Sequence, residues 1–162
     1  MAIVPNRDMG EFLQPAGLGY FNATAAGAGD ATEVNGATVD RQTYGMPESA
    51  ALKVQWIANV AASQTLALTI TLQDSADGST WTDVTVTDFA SAITVATGAL
   101  TNDEDYHLSH IRLSGLRRYV RAQVSPDLSN SGVDTAVGNF CFILGPGNDT
   151  GLLDAADATY NG

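Results

Sequence analysis

The chain has 162 residues, 44% of them hydrophobic, which is enough for one domain with tails and a core. A formal net charge of -11, from seven Lys and Arg against 18 Asp and Glu, leaves no basic surface for nucleic acid over the body of the protein. The one cysteine, Cys141, rules out an intrachain disulfide and a multi-cysteine zinc site, and no stretch reaches the ~18 apolar residues of a transmembrane helix.

Charged residues are only 15% of the chain, against about 25% in an average globular protein. Thr, Ala, Gly, Ser, Asn and Asp take their place, and these suit strand surfaces and turns better than exposed helices. Residues 1–45 show little periodicity and are rich in Gly and Ala, so they are read as an extended N-terminal arm. Phe12, Leu13, Tyr20 and Phe21 are unusual in a purely solvated tail. They make the arm a candidate contact segment that orders against a partner, the alternative being a disordered leader. Within it, Thr32 to Val39 carries Asn35-Gly36 and could form a small hairpin. The start of the chain has no basic stretch followed by an apolar run, so synthesis and folding in a cytoplasm are expected.

From Ser49 the pattern changes. Leu52, Val54, Trp56, Ala58 and Val60 alternate with polar residues, Ile57 being the exception. Leu66, Leu68, Ile70 and Leu72 alternate with Thr and Ala, the signature of a strand dry on one face and wet on the other. Asp77-Gly78 predicts a tight turn into a partner strand with Trp81, Val84 and Val86. Ala92 to Ala96 reads as a short strand, Leu100 to Asp105 as an acidic turn, and Tyr106 to Leu113 as another strand. In the segment Arg118 to Val124, Val120, Ala122 and Val124 face one way. Ala136 to Leu144 is almost continuously apolar and is expected at the centre of a sheet, with Cys141 a small buried hydrophobe inside it. Gly145-Pro146 ends that strand, leaving residues 146–162 as a polar, acidic tail. About seven short strands with regular turns predict an all-β antiparallel β-sandwich, jelly-roll or Ig-like, over residues 46–145.

Catalytic chemistry is not legible. His107 and His110, three apart in a strand, point to opposite faces and make poor co-ligands. No nucleophile elbow, phosphate loop or dinucleotide fingerprint is present. Asp74, Asp77 and Asp83 do not match a calcium loop. No catalytic residue, metal ligand or cofactor is assigned. Arg112, Arg117, Arg118 and Arg121 cluster in an otherwise acidic chain. They form either a subunit contact or intramolecular pairs with Asp103, Glu104 and Asp105.

Three segments carry a resemblance. Leu72-Gln73-Asp74-Ser75-Ala76-Asp77-Gly78-Ser79-Thr80-Trp81-Thr82-Asp83-Val84 is similar to a hairpin of small structural proteins of tailed bacteriophages. Tyr119 to Val124, in an L-R-R-Y-V-R context, resembles the strand that follows, and Gly36 to Arg41 resembles a G-x-x-V-D-R entry segment. The resemblance implies a β-sandwich of the virion, a head decoration or cement subunit at the capsid surface. It implies the major capsid protein as partner, self-association as a homotrimer, an arm reaching across neighbours, and neither nucleic acid nor membrane as a partner. The alternatives are a tail, connector or fibre subunit and, further off, a carbohydrate-binding sandwich.

Overall fold

A computed structural model describes residues 13–85, 92–95, 99–129 and 132–145. They form ten strands and one short 3-10 turn: β1 (Gln14–Thr24), β2 (Val34–Asn35), β3 (Val39–Asp40), the turn Arg41–Tyr44, β4 (Ser49–Val60), β5 (Leu66–Ser75), β6 (Thr82–Val84), β7 (Ala92–Val95), β8 (Leu100–Arg112), β9 (Tyr119–Leu128) and β10 (Thr135–Leu144). Every pairing is antiparallel. One sheet has the order β1-β10-β4-β8, and the other β2-β9-β5-β6, with β3 also on β9 and β7 also on β5. Two sheets packed face to face make the expected β-sandwich.

The core follows from the period of two. Leu52, Val54, Trp56, Ala58 and Val60 of β4 are buried, as are Leu66, Leu68, Ile70 and Leu72 of β5 and Val120, Ala122 and Val124 of β9. β10 lies between β1 and β4, the central position its apolar run predicts. Its packing on β1 is a Phe–Gly exchange. Phe140 pairs with Gly19, and Phe21 pairs with Gly138. A methyl on Gly19 would meet the Phe140 ring at 2.1 Å, and one on Gly138 would meet the Phe21 ring at 2.4 Å. Each glycine is the space its partner's ring fills, which is why two phenylalanines fit between closely spaced strands. The predicted hairpin β5–β6 is present. Gly78 has φ 75, Ser75 Oγ accepts from the Asp77 and Gly78 amides, and Asp77 Oδ1 accepts from the Ser79 and Thr80 amides.

Several expectations are corrected. The part of the 1–45 segment that is described is no arm: it supplies β1, β2, β3 and the 3-10 turn, so the sandwich includes residues from Gln14 onward and not only those from residue 46. Phe21 is 0% exposed and belongs to the core. Small inward residues (Ala16, Gly19, Ala23) hide this strand's alternation, because they carry little hydrophobic signal. Thr32 to Val39 is not a hairpin, since β2 and β3 each pair with β9. Leu100 to Asp105 is strand rather than turn, its register held by Asp103, Glu104 and Asp105 opposite Ala58, Ile57 and Trp56. Cys141 is half-buried on the outward face of β10, opposite Lys53, not in the core. Phe12 and the tail 146–162 lie outside the described residues.

Candidate interaction surface

The outward faces of the two sheets differ in chemistry. On the β2-β9-β5-β6 sheet the side chains are polar and satisfied by one another. Arg121 Nε donates to Gln73 Oε1 at 2.8 Å, Gln73 Nε2 donates to Asp83 Oδ1 at 2.6 Å, and Gln123 Nε2 donates to Asn35 Oδ1 at 2.7 Å. The Arg121 guanidinium stacks on Trp81, 4.2 Å from the ring centroid.

The outward face of the β1-β10-β4-β8 sheet sets exposed aromatic and aliphatic side chains among amides. Register places Tyr20, Asn139, Gln55 and Tyr106 in one row across all four strands, and Asn22, Val137, Ile57 and Glu104 in the next. Tyr20 and Tyr106 are each 61% exposed, Leu108 43% and Ile57 41%, while Leu18, in the β1 bulge, is 65% exposed. Charge on the middle of this face comes from Lys53, whose ammonium sits 5.6 Å from the Tyr106 ring centroid, and from Glu104, which accepts from Gln55 at 2.8 Å. In a chain of net charge -11, this face has the composition of an interface core: aromatic-rich and charge-poor. The signal visible in the sequence is Ile57, the apolar residue that interrupts the β4 alternation.

The arginines do other work. Arg118 makes two hydrogen bonds to Asp40, of 2.9 and 2.6 Å. The Arg117 amide donates to Asp74 Oδ2 at 2.9 Å, and its guanidinium lies 3.7 Å from Asp74 Oδ1 and 3.2 Å from Thr82 Oγ1. Arg41 is 3% exposed, and its guanidinium donates to the carbonyls of Leu116, Arg117 and Pro47. The Asp40-Arg41 pair, the Leu116–Arg121 strand entry and the β5–β6 hairpin thus meet at one end of the sandwich. Arg117 and Arg118 pair with Asp74 and Asp40, not with Asp103, Glu104 and Asp105. Arg112, at the end of β8, is exposed and forms no ion pair with a described residue.

Titration follows these contacts. The hydrogen bond from Arg118 holds the Asp40 carboxyl below its ordinary value, and Asp40 raises Arg118 in return. Burial lowers Arg41, with Asp74 and Glu48 opposing. The Thr80 and Ser79 amides hold Asp77 well below the carboxylate range. Burial pushes the Cys141 thiol up, against Lys53, so it is a poor nucleophile at neutral pH.

Of the residues singled out in the sequence, Tyr20 lies on the outward face of the β1-β10-β4-β8 sheet, and Leu13 is exposed just before β1. Phe21 is core, and Arg117, Arg118 and Arg121 are engaged within the fold. His107 pairs with Val54 and His110 with Ala51, on opposite faces as their spacing predicts. Sequence reasoning missed Ile57, Tyr106 and Leu108 as surface residues. No group of three His, Cys, Asp or Glu that could hold a metal occurs among the described residues. No helix among them is long and apolar enough to cross a membrane. No known protein family and no curated protein matches the chain.

Proposed function

We propose that this protein is a structural subunit that works by assembly, in the manner of the virion decoration proteins its motifs resemble, with the major capsid protein as its partner. The observation that carries the reading is the set of large apolar and aromatic side chains, Tyr20, Ile57, Tyr106 and Leu108, exposed among amides on the outward face of the β1-β10-β4-β8 sheet. Burying such side chains yields about 25 cal/mol for each Å² of apolar area removed from water. Tyrosine loses little conformational entropy on docking, which suits it to interface centres. Repetition of a modest contact over many copies gives avidity.

The test is co-sedimentation of the purified chain with shells of the cognate major capsid protein prepared without it. Binding that is lost in Tyr20→Ala/Tyr106→Ala, with the fold retained, supports the reading. No binding to shells, with binding to tails or fibres instead, moves the subunit to that part of the virion.

A second reading has its own observation. Tyr20 and Tyr106 flank Asn139 and Gln55 in a single row, about 14 Å apart at three strand spacings. Aromatic faces with amides between them suit a carbohydrate chain. Retardation of the protein in gels containing polysaccharide, abolished by the same double variant, would favour it.

A further inference from the structure

We propose that the chain forms a two-fold dimer through β8, two copies pairing antiparallel edge to edge with Leu108 on the symmetry axis. The inference does not depend on the virion reading, and it sets a dimer in place of the homotrimer that the resemblance implies. The sheet β1-β10-β4-β8 has two edges, and they are treated differently. Along β1 the edge is covered by the chain's own next segment: Ala37 N donates to Leu18 O, Thr24 N donates to Ala28 O, and Gly29 lies so close to the Asn22 carbonyl that a methyl there would sit 2.0 Å from it. Along β8, a strand of 13 residues, β4 is the only pairing partner among the described residues. A long strand with backbone groups that no neighbouring strand takes is a template for another strand, and on this edge the Tyr106 amide, which donates to Asp105 Oδ1 at 2.8 Å, must exchange that carboxylate for the partner's carbonyl.

The β8 sequence selects a second copy and a register. Glu104, Tyr106, Leu108, His110 and Arg112 share the outward face, opposite Ile57, Gln55, Lys53, Ala51 and Ser49. With Leu108 facing Leu108, Tyr106 faces His110 and Glu104 faces Arg112, each twice by symmetry. Arg112, without an ion-pair partner among the described residues of its own copy, receives a carboxylate. The exposed Leu108 meets an apolar neighbour, and the pairing of opposite charges is of the kind that stabilises antiparallel ladders. Sliding by one pair in either direction loses this. One way leaves Arg112 opposite Asn102, the other sets it opposite Tyr106. The dimer also joins the two outward faces into one eight-stranded surface, doubling the platform.

The experiment is the solution mass of the full chain by light scattering, over a concentration series, for wild type and four variants. Wild type is expected at twice the 16.8 kDa chain mass. Leu108→Lys sets two ammonium groups against each other on the axis and should give a monomer with an unchanged far-ultraviolet spectrum. Glu104→Arg and Arg112→Glu should each weaken the dimer at least about tenfold, the effect of 1.4 kcal/mol. The combined reversal should restore it, which only the Glu104–Arg112 register explains. A separate check is Leu108→Cys in a Cys141→Ser background, which should oxidise to a disulfide-linked dimer. A wild type that is monomeric at the highest concentration or trimeric, or a dimer that persists in Leu108→Lys, overturns the proposal.

Discussion

Arg118 grips the carboxylate of Asp40, 78 residues earlier, through Nε and Nη2 at 2.9 and 2.6 Å. The same Asp40 begins the 3-10 turn, accepting from the Gln42 amide at 3.1 Å. One ion pair therefore ties the entry of β9 to the chain that leaves β3. Because the Asp40 pKa is depressed in the folded protein, the pair stabilises above the ordinary carboxylate value of about 3.9. That contribution is lost as pH falls through the folded value. Arg118→Ala should therefore lower the melting temperature at pH 7, and the difference from wild type should shrink steadily below pH 4. Thermal melts of both proteins from pH 7 to pH 2.5 read this. A difference that stays constant with pH would mean Arg118 acts by packing rather than by charge.

Arg41 is a different case, since it is buried and serves three carbonyls at once. Arg41→Ala leaves those acceptors without a donor, at about 1–3 kcal/mol for each one that water cannot reach. A loss of about 3 kcal/mol or more is expected in urea unfolding. Arg41→Lys recovers only part of it, because an ammonium lacks the planar fork that reaches both sides of the loop.

Phe21 decides whether the N-terminal third is arm or core. Phe21→Ala should cost about 3–5 kcal/mol, as for a large side chain removed from a packed interior. Deleting residues 1–35 removes β1 and β2 and strips β10 of one neighbour. The truncated chain should fail to give a cooperative thermal transition. A cooperative transition near that of the full chain would restore the arm reading.

Gly138 should tolerate nothing larger. A methyl there would lie 2.4 Å from the Gln55 carbonyl oxygen as well as 2.4 Å from the Phe21 ring, so backbone must shift. Gly138→Ala should cost about 1–3 kcal/mol by overpacking. Gly115 is the control, with nothing within 4 Å of such a methyl. Its φ of 86 still strains an alanine, so Gly115→Ala should cost less than Gly138→Ala, by denaturant midpoint.

What the sequence determined by itself was the fold class and most of the strands. Alternation in β4, β5 and β9 and the Asp77-Gly78 turn are local signals, written in side chains large enough to be read. β1 escaped because its inward positions are Gly and Ala, apolar only by virtue of the rings that fill the space beside them. The acidic start of β8 escaped because pairing with β4 overrides the turn preference of Asp and Asn. Tertiary structure alone decided which apolar residues face water. Tyr106 and Leu108 read as ordinary strand residues, and only Ile57 stands out by breaking the β4 alternation, until register sets Tyr106 in one row with Tyr20 and the other two in the rows beside it. It also decided that Arg117 and Arg118 belong to Asp74 and Asp40. Those pairings join residues 43 and 78 positions apart, and no local pattern encodes contacts that only the pairing of β9 with β5 and β3 creates.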